Sequence, residues 1–537
     1  MSHASSPSFR RRALGLLAAA ALVSCATPAE RVANADDEVG VIIDSVSVRV
    51  LSERSETVKR PEVERQLTEA QQVEEAEVAA AETRRLDLLA ALAAAFETGR
   101  EFMDRGEALY RSGLSLTGTR FDFGPQIDSS LAWRITDAEG GSRVTTQRAD
   151  VSVSQLLSTG GSVTASGAVS TSRVEGPDQG DPTAGRDYGS SVSLSFTQPL
   201  MRGAGYNIAW EGLKQAERDM VYAVRDFELF RQDFAITIAS DFFDLVSQRT
   251  QLDNNEENYL RAIFDTEQAE ALRLVDRNTI EDVFRSRRRE VDAESNLLQA
   301  RADFNRDVNS FRIRLGLAEN VQIEIVPMDP PFERVALDPA SAVRVAIDNR
   351  LDLMTARDQL EDTERRLRIA RDGLRADVDF DANLTLGGDG PEVLKAAPDQ
   401  WSSSVGLGVD LPVQRVPERN AYRSALITVD RARRDYEILL ETIDRDIRDA
   451  LRQLRRTEEQ IILQREQIEQ ERKAVAVTEI RVESGDAENR DLLEARQSLV
   501  DLQNQLVNQQ VSHFIARLRL WQDLGLLFID SEGMWSL

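Results

Sequence analysis

The segment LETIDRDIRDALRQLRRTEEQIILQREQIEQERKAVAVTEIRV, residues 440–482, decides the fold of this chain. An apolar residue recurs every seven positions in this otherwise polar stretch: Leu440, Ile447, Leu454, Ile461, Ile468, Val475 and Val482. A seven-residue apolar repeat is typical of a left-handed coiled coil. The polar run extends back to about Arg415, so we expect one helix of about 70 residues, ~100 Å long.

A second helix returns along the first, and the pair is duplicated. The returning series is Leu492, Leu499, Leu506, His513 and Leu520, and the first half has the matching series Ile238, Leu245, Leu252, Tyr259 and Val283, Leu297, Phe304, Phe311. Asp282 and Asp491 precede Leu-Gly-Leu endings, residues 315–317 and 524–526, at a constant offset of 209 residues (491 minus 282, 524 minus 315). The sequence therefore predicts two equivalent helical hairpins.

Short alternating segments precede each helical hairpin. They are residues 121–133 and 192–197 in the first half, and 378–386 and 405–411 in the second. Alternation of apolar with polar residues is the period of a strand that faces two environments. Between the first two, residues 151–154 and 163–169 are candidates for an additional hairpin. These strands are too few to close a sheet within one chain, so copies from other subunits would have to cover their edges.

The N-terminus predicts export. Arg10-Arg11-Arg12, the apolar run 13–23 and Leu22-Val23-Ser24-Cys25 form a secretory signal, residues 1–24. Cys25 is the only cysteine, and the tetrapeptide that it ends resembles a bacterial lipobox, which implies that Cys25 carries the lipid. A chain with one cysteine has no disulfide framework and depends on packing and oligomerisation.

Three further regions follow the signal. Residues 25–80 are predicted to be an N-terminal lipidated tether, with a strand-like stretch at Val39–Ile43 and an acidic stretch at 53–77. Residues 81–330 and 331–537 are the two structural repeats. The first repeat begins with a predicted helix that is interrupted at Gly99 and ends near Gly113.

Composition excludes several functions. A net charge of −26 disfavours nucleic acid as a partner, and 6% aromatic with 29% charged residues favours long helices with narrow apolar seams. The sequence has no Ser-His-Asp set, no His or Cys cluster for a metal and no phosphate loop. His513 is the only histidine after the signal, and its seam position predicts a packed core residue. We therefore expect neither an enzyme nor a cofactor.

The pattern resembles the TolC-like outer-membrane efflux proteins from about Leu86 to Phe528. The resemblance is carried by SFTQPLMRGAG (195–205), NRLDL (349–353) and RVESGDAENRDLLEA (481–495), in this order and behind a lipobox. It implies a mainly α fold with a membrane β-barrel portion, in which a strand hairpin and a long coiled-coil helical hairpin are duplicated. Three chains would assemble as a trimeric α/β-barrel channel, each adding about four strands to a shared twelve-stranded barrel.

The resemblance also implies a function. A homotrimer would span the outer membrane and the periplasm as the exit duct of a tripartite efflux or type I secretion system. Its partners would be a periplasmic adaptor protein, an inner-membrane pump and the outer-membrane lipids, with Cys25 anchored in the same membrane. The alternative is a lipid-anchored periplasmic coiled-coil scaffold without a channel. The cargo and the class of pump stay open.

Functional residues are expected at the two helical turns farthest from the strands. In the second turn, the family pattern of a Gly followed by two acids falls on Gly485, Asp491 and Glu494, and the acids' spacing of three places both carboxylates on one helix face. A trimer would present a ring that attracts cations; ordinary solvated charges are the alternative. The equivalent acids of the first turn are Glu281 and Asp282.

The first turn departs from the family pattern. Asp276 stands where a glycine is expected, and it is grouped with Arg277, Asn278 and Gly485 as a candidate adaptor contact. A basic run follows, with Arg285, Arg287, Arg288 and Arg289. Together with Arg490, these arginines are candidates for gating salt bridges between helices, or they simply neutralise the acidic ring.

Overall fold

The computed structural model describes residues 28–52, 83–137, 143–175, 186–274, 279–328, 330–390, 400–411, 413–484, 486–487, 489–530 and 533–536. The predicted signal, Cys25, residues 53–80 of the tether and the turn residues Asp276, Arg277, Asn278 and Gly485 lie outside this part of the chain.

Ten helices are found among the described residues: α1 (Pro28–Ser52), α2 (Leu88–Thr98), α3 (Arg100–Phe123), α4 (Tyr206–Ala209), α5 (Glu211–Leu274), α6 (Ile280–Arg314), α7 (Pro339–Asn349), α8 (Leu351–Asp372), α9 (Val416–Ser484) and α10 (Asn489–Asp523). The strands are β1 (Thr83–Leu86), β2 (Gln126–Asp137), β3 (Arg143–Leu156), β4 (Ser162–Glu175), β5 (Arg186–Pro199), β6 (Gln322–Ile325), β7 (Asp377–Gly390), β8 (Gln400–Asp410), β9 (Phe528–Ile529) and β10 (Trp535–Ser536). The predicted long helices are confirmed, since α5 has 64 residues and α9 has 69.

The coiled-coil seam of α9 is present and has a second position that the sequence did not reveal. Ile447, Leu454, Ile461 and Ile468 are buried as the heptad predicts. Between them, Thr457 and Gln464 are also buried, and the Gln464 side-chain amide donates to the Leu502 carbonyl oxygen at 3.2 Å. The second seam position is therefore apolar at Ile443 and polar at Thr457 and Gln464, where hydrogen bonds satisfy the buried side chains.

The chain divides into two compact units. The first comprises the described residues within 28–51, 109–224 and 358–433, and it contains the large sheet. The second comprises the described residues within 83–108, 225–357 and 434–536, and it contains most of α5, α6, α9 and α10. Two apolar cores lie in the second unit, one around Phe242, Phe243 and Phe514, the other around Ile443, Ile447 and Leu451.

The large sheet has six strands in the order β2-β3-β4-β5-β7-β8, and every neighbouring pair is antiparallel. The first half of the chain supplies four of them, so the predicted additional hairpin is confirmed. The expectation of about four strands per chain is wrong. A tight turn joins β3 to β4, in which the Leu157 amide donates to the Gly161 carbonyl oxygen at 2.7 Å and Gly160 has a φ of 91°.

Two boundaries of the first unit differ from prediction. The strand-like stretch Val39–Ile43 is helical, because its apolar residues belong to a helical stripe, Val39, Ile42, Val46 and Val50, that is buried. α3 also continues past Gly113 to Phe123, since Gly113 marks a close approach to α1 rather than a helix end. A Cβ atom at Gly113 would lie 2.6 Å from the Val39 side chain.

The two Leu-Gly-Leu endings are equivalent in the structure. The Leu317 amide donates to the Arg312 carbonyl oxygen at 3.1 Å, and the Leu526 amide donates to the Trp521 carbonyl oxygen at 2.9 Å. Gly316 and Gly525 have φ values of 75° and 70°, as expected for a glycine that caps the C-terminus of a helix. The duplication read from the sequence therefore ends each helical hairpin, α5–α6 and α9–α10, with the same cap.

Candidate functional site

One face of the six-stranded sheet is apolar. In an antiparallel sheet, residues paired across strands point to the same side, so the register assigns one face to every strand. This face carries Ile127, Leu131, Trp133 and Ile135 of β2, Val151 and Val153 of β3, Val163 and Val169 of β4, Val192, Leu194 and Phe196 of β5, Phe380, Leu384 and Leu386 of β7, and Trp401, Val405, Leu407 and Val409 of β8.

The opposite face is lined by small polar side chains. It carries Asp128 and Ser130 of β2, Asp150 and Ser152 of β3, Thr164, Ser166 and Ser170 of β4, Ser191, Ser193, Ser195 and Thr197 of β5, Asp379, Asp381 and Asn383 of β7, and Ser402, Ser404, Gly406 and Gly408 of β8. Hydrogen bonds run between neighbouring strands, as between the hydroxyls of Ser166 and Ser193 at 2.6 Å. The hydroxyl of Thr197 donates to the Asp381 carboxylate at 2.9 Å.

The apolar face is uncovered within one chain. Leu131 is 83% exposed and Val405 is 73% exposed, and Val192 in the middle of the sheet is 48% exposed. A contiguous apolar surface of this extent marks an interaction with a membrane or with another protein. Aromatic residues lie at both of its ends: Trp133, Tyr188 and Trp401 toward the strand–strand loops, and Phe196 and Phe380 toward the helices, with ring centroids 6.1 Å apart.

The connection from the sheet to α4 is held by hydrogen bonds that its backbone amides donate. The amide of Gly203 donates to the carboxylate of Asp372 at 2.7 Å, and the amide of Leu200 donates to the Val378 carbonyl oxygen at 2.7 Å. These contacts involve the segment SFTQPLMRGAG (195–205) that carries the family resemblance. That segment therefore fixes where the chain leaves the sheet.

A buried ion network joins α5 to α8 next to the sheet. Asp362 is 2% exposed, and its carboxylate accepts hydrogen bonds from the guanidinium groups of Arg218 at 2.5 Å and Arg365 at 2.6 Å, and from the hydroxyl of Tyr222 at 2.7 Å. Arg365 also donates to Glu211 at 2.9 Å. Sequence reasoning missed this network, because opposite charges three residues apart on a helix, such as Asp362 and Arg365, usually mark a solvated face.

One of the two acids of the first turn, Asp282, is used as a helix cap. Thr279 and Asp282 form a capping box at the start of α6, in which the Asp282 carboxylate accepts from the Thr279 amide at 3.0 Å and from its hydroxyl at 2.6 Å. The hydrogen bonds from Thr279 are the main reason that the pKa of Asp282 is lowered, and Arg285 adds to the effect. Glu281 beside it is exposed.

The acids of the second turn are exposed at the start of α10. Asp491 lies in the first turn of this helix, 3.6 Å from the guanidinium of Arg490. Glu494 is likewise exposed, and it lines a cleft of about 750 Å³ between α5, α6 and α10. Four arginines share that cleft: Arg261, Arg289, Arg490 and Arg496. Of the two acids predicted at the second turn, Glu494 lines this cleft and Asp491 does not.

The arginine run of α6 pairs along its own helix. Arg287 contacts Glu290 at 2.8 Å, Arg288 contacts Asp292 at 3.8 Å, and Arg285 lies 4.0 Å from Asp282. Ion pairs between the helices of each hairpin come from residues that the sequence did not single out. Arg301 of α6 contacts Glu256 of α5 at 3.1 Å, and Arg496 of α10 contacts Glu479 of α9 at 2.8 Å.

His513 is a packed core residue, as predicted. It is fully buried, its ring lies 5.0 Å from that of Phe332, and burial lowers its pKa although Glu458 opposes the change. In the described part of the chain, no three His, Cys, Asp or Glu side chains are grouped to hold a metal ion. No helix within the described ranges is long and apolar enough to cross a membrane.

Comparison with known proteins agrees with the resemblance seen in the sequence. Residues 342–526 match the family described as outer membrane efflux protein. No curated protein sequence matches the chain. The predicted resemblance is therefore confirmed by the family match over the second repeat and by the fold of the chain, as follows.

The fold is that of several outer-membrane channels. The chain is 15% identical to the outer membrane protein VceC of Vibrio cholerae, with a TM-score of 0.60 over 82% of this chain and 96% of that one. It is 13% identical to the CmeC outer membrane channel of Campylobacter jejuni, with a TM-score of 0.60 over 82% of this chain and 85% of that one. It is 12% identical to the open state of the MtrE outer membrane channel of Neisseria gonorrhoeae, with a TM-score of 0.58 over 82% of this chain and 89% of that one.

Proposed function

We propose that this chain, whose residues 342–526 match the outer membrane efflux protein family, forms the outer-membrane exit duct of an efflux system. The observation that carries the proposal is the six-stranded sheet. Every strand has apolar side chains on one face, interrupted by Thr145, Gln147 and Thr171 in the loop-side half of β3 and β4, and mostly small or polar side chains on the other. Lipid is the environment that covers such an apolar face, and water in a lumen is the environment that suits the hydroxyls opposite.

The strands have the length that a bilayer requires. A tilted strand needs ~9–11 residues to cross the hydrocarbon core, and the strands of this sheet have between 11 and 14 residues. Aromatic residues at both ends of the apolar face match the girdles at the two membrane interfaces. The loop-side members are Trp133, Tyr188 and Trp401, and the helix-side members are Phe196 and Phe380.

The six-stranded sheet needs further copies of the chain to close into a continuous barrel, whose strands we call the wall. We propose a homotrimer, in which the strands form a membrane β-barrel and the coiled-coil helical hairpins continue as a periplasmic channel. A periplasmic adaptor protein and an inner-membrane pump would deliver the cargo, and a lipid on Cys25 would anchor the N-terminus in the outer membrane after removal of residues 1–24. A type I secretion system would use the same duct.

Planar-bilayer recording of the full-length protein tests the proposal. We expect trimers that require detergent for extraction and that open ion-conducting pores, because the apolar face needs lipid. The rival function, a lipid-anchored periplasmic scaffold without a channel, predicts that Cys25→Ser yields a fully soluble protein. Soluble Cys25→Ser protein without conductance contradicts the channel; Cys25→Ser protein that still needs detergent supports it.

The acids at the start of α10 give a selectivity prediction. Asp491 and Glu494 are exposed at the helical turn, where three chains would present six carboxylates. We expect Asp491→Ala combined with Glu494→Ala to lower the cation-over-anion permeability ratio by roughly two-fold or more at low salt, where the Debye length is ~30 Å. Reversal potentials under a salt gradient measure the ratio.

A matched control removes the same charge elsewhere. Glu459→Ala combined with Glu466→Ala takes two exposed acids from the middle of α9, and we expect the permeability ratio to stay near that of the unchanged protein. If both double variants behave alike, Asp491 and Glu494 do not lie at a constriction.

A further inference from the structure

We infer that β8 of one copy pairs with β2 of the next, and that each copy contributes all six strands to the wall. The proposed trimer would then have an eighteen-stranded wall, three copies of six strands, in place of the twelve that the family resemblance implies. This inference rests on the proposed function for the number of copies. The edge pairing itself rests on the sheet.

The two edges of the sheet have the exposure that a missing neighbour produces. On β2, Ile127, Leu131 and Trp133 are between 71% and 83% exposed. On β8, Trp401 is 71% exposed and Val405 is 73% exposed. The apolar residues of the inner strands are less exposed, 48% for Val192 and 39% for Leu384, because strands flank them on both sides. Among the described residues, neither outer edge has a pairing strand.

The two edges also match each other. β2 follows α3 and runs away from it, and β8 runs back toward α9, so β8 against β2 of another copy is antiparallel like the other five pairs. Apolar residues alternate with small or polar ones along both strands, which lets one register continue both faces of the sheet without a break. A second copy of this chain therefore satisfies both the unpaired backbone groups and the face pattern.

A single chain cannot close this sheet on itself. An eight-stranded barrel has an interior that side chains just fill, and six strands would leave less room than that. The polar face would then have to bury its carboxylates, among them Asp128, Asp379 and Asp381, in a space without water. Closure between copies avoids this cost and leaves the polar face wet.

Six strands per copy make the wall wide. With neighbouring strands ~4.8 Å apart and a tilt of ~40°, eighteen strands give a backbone diameter of ~36 Å, and twelve give ~24 Å. The small side chains of the polar face, such as Ser166, Ser193 and Gly406, leave this space open. We infer that the strand-lined end admits bulkier cargo than a twelve-stranded wall does.

Cysteine cross-linking in the full-length protein tests the edge pairing. Gly406 lies on the polar face of β8, and a Cβ atom there would have nothing within 4 Å. We expect Gly406→Cys, combined in turn with Ala132→Cys, Arg134→Cys or Thr136→Cys on the same face of β2, to give a disulfide-linked ladder that ends at three chains for at least one pair. The control is Gly406→Cys with Ile135→Cys, which points to the opposite face. The unchanged protein, in which Cys25 is the only cysteine, measures the background of cross-linking.

The outcomes separate the inference from the proposed function. No ladder from any same-face pair, in protein that forms trimers and conducts ions, overturns the edge pairing and leaves the channel intact. A ladder that ends at two chains overturns the eighteen-stranded wall and the homotrimer together. Electron cryo-microscopy of the detergent-solubilised protein gives a second measure, because a strand wall ~24 Å across in place of ~36 Å overturns the inference even where cross-links form.

Discussion

Asp362→Ala is expected to lower the free energy of unfolding by about 3–5 kcal/mol, because it leaves buried positive charge without its acceptor. Asp362 is 2% exposed and Arg365 is 5% exposed. Both Arg365 and Arg218 donate to the Asp362 carboxylate. Arg365 keeps Glu211 as a partner, but one carboxylate cannot replace the hydrogen bonds that are lost.

The same network gives a pH dependence with a definite sign. Burial by itself raises the pKa of Asp362, but hydrogen bonds from Tyr222, Arg218, Gln215 and Arg365 outweigh it and lower the pKa below its ordinary value of 3.8. A lowered carboxyl pKa stabilises the folded state above the ordinary value, and this contribution is lost as the pH falls through the folded pKa. We therefore expect the difference between the unchanged protein and Asp362→Ala to be constant above about pH 5 and to shrink in stronger acid.

Glu361→Gln is the matched control for this prediction. Glu361 is the next residue on α8, and it contacts the same Arg218 at 2.8 Å, but its side chain is 56% exposed. Exposed ion pairs contribute ~0–1 kcal/mol, so we expect a small change. Urea titration followed by circular dichroism measures both variants. Equal losses for Asp362→Ala and Glu361→Gln would contradict the buried network.

The helical part of this fold could be predicted because its signal is periodic. A long amphipathic helix repeats one pattern many times, and α9 was placed to within a few residues from seven apolar positions. The seam's second position could not be found in this way at Thr457 and Gln464, because both residues are polar and their burial depends on hydrogen bonds. Asp362 escaped detection for the same reason.

The strands were harder to count than to locate. Residues 151–154 and 163–169 alternate, and the structure has them in β3 and β4, but a strand pattern does not say which sheet a strand joins. The family resemblance favoured about four strands, and the structure has six in one sheet. Val39–Ile43 shows the opposite error, since five β-branched or small residues in a row suit a strand locally while the helical stripe on either side decides the outcome.

Val192→Arg is expected to destabilise the inserted protein by ~2–4 kcal/mol per chain if the apolar face meets lipid. Val192 lies at the middle of β5, is 48% exposed, and pairs with Gly167 on one side and Leu386 on the other. A charge at the centre of the hydrocarbon core loses its hydration, and no acid lies directly opposite to compensate. Urea titration of the protein folded into lipid vesicles measures the loss.

Ser191→Arg separates the lipid from the lumen. Ser191 precedes Val192 on the same strand, at nearly the same depth, and points to the opposite face beside Ala168 and Gly387. Because these neighbours are small and the face is proposed to be wet, we expect Ser191→Arg to insert and fold almost normally and to shift the pore toward anions. The two variants introduce the same side chain one residue apart, so the size and β-propensity of the arginine itself are common to both. Equal destabilisation would show that both faces are packed against protein, which contradicts a lipid-facing wall; loss confined to Ser191→Arg would mean that the apolar face is the one turned toward water.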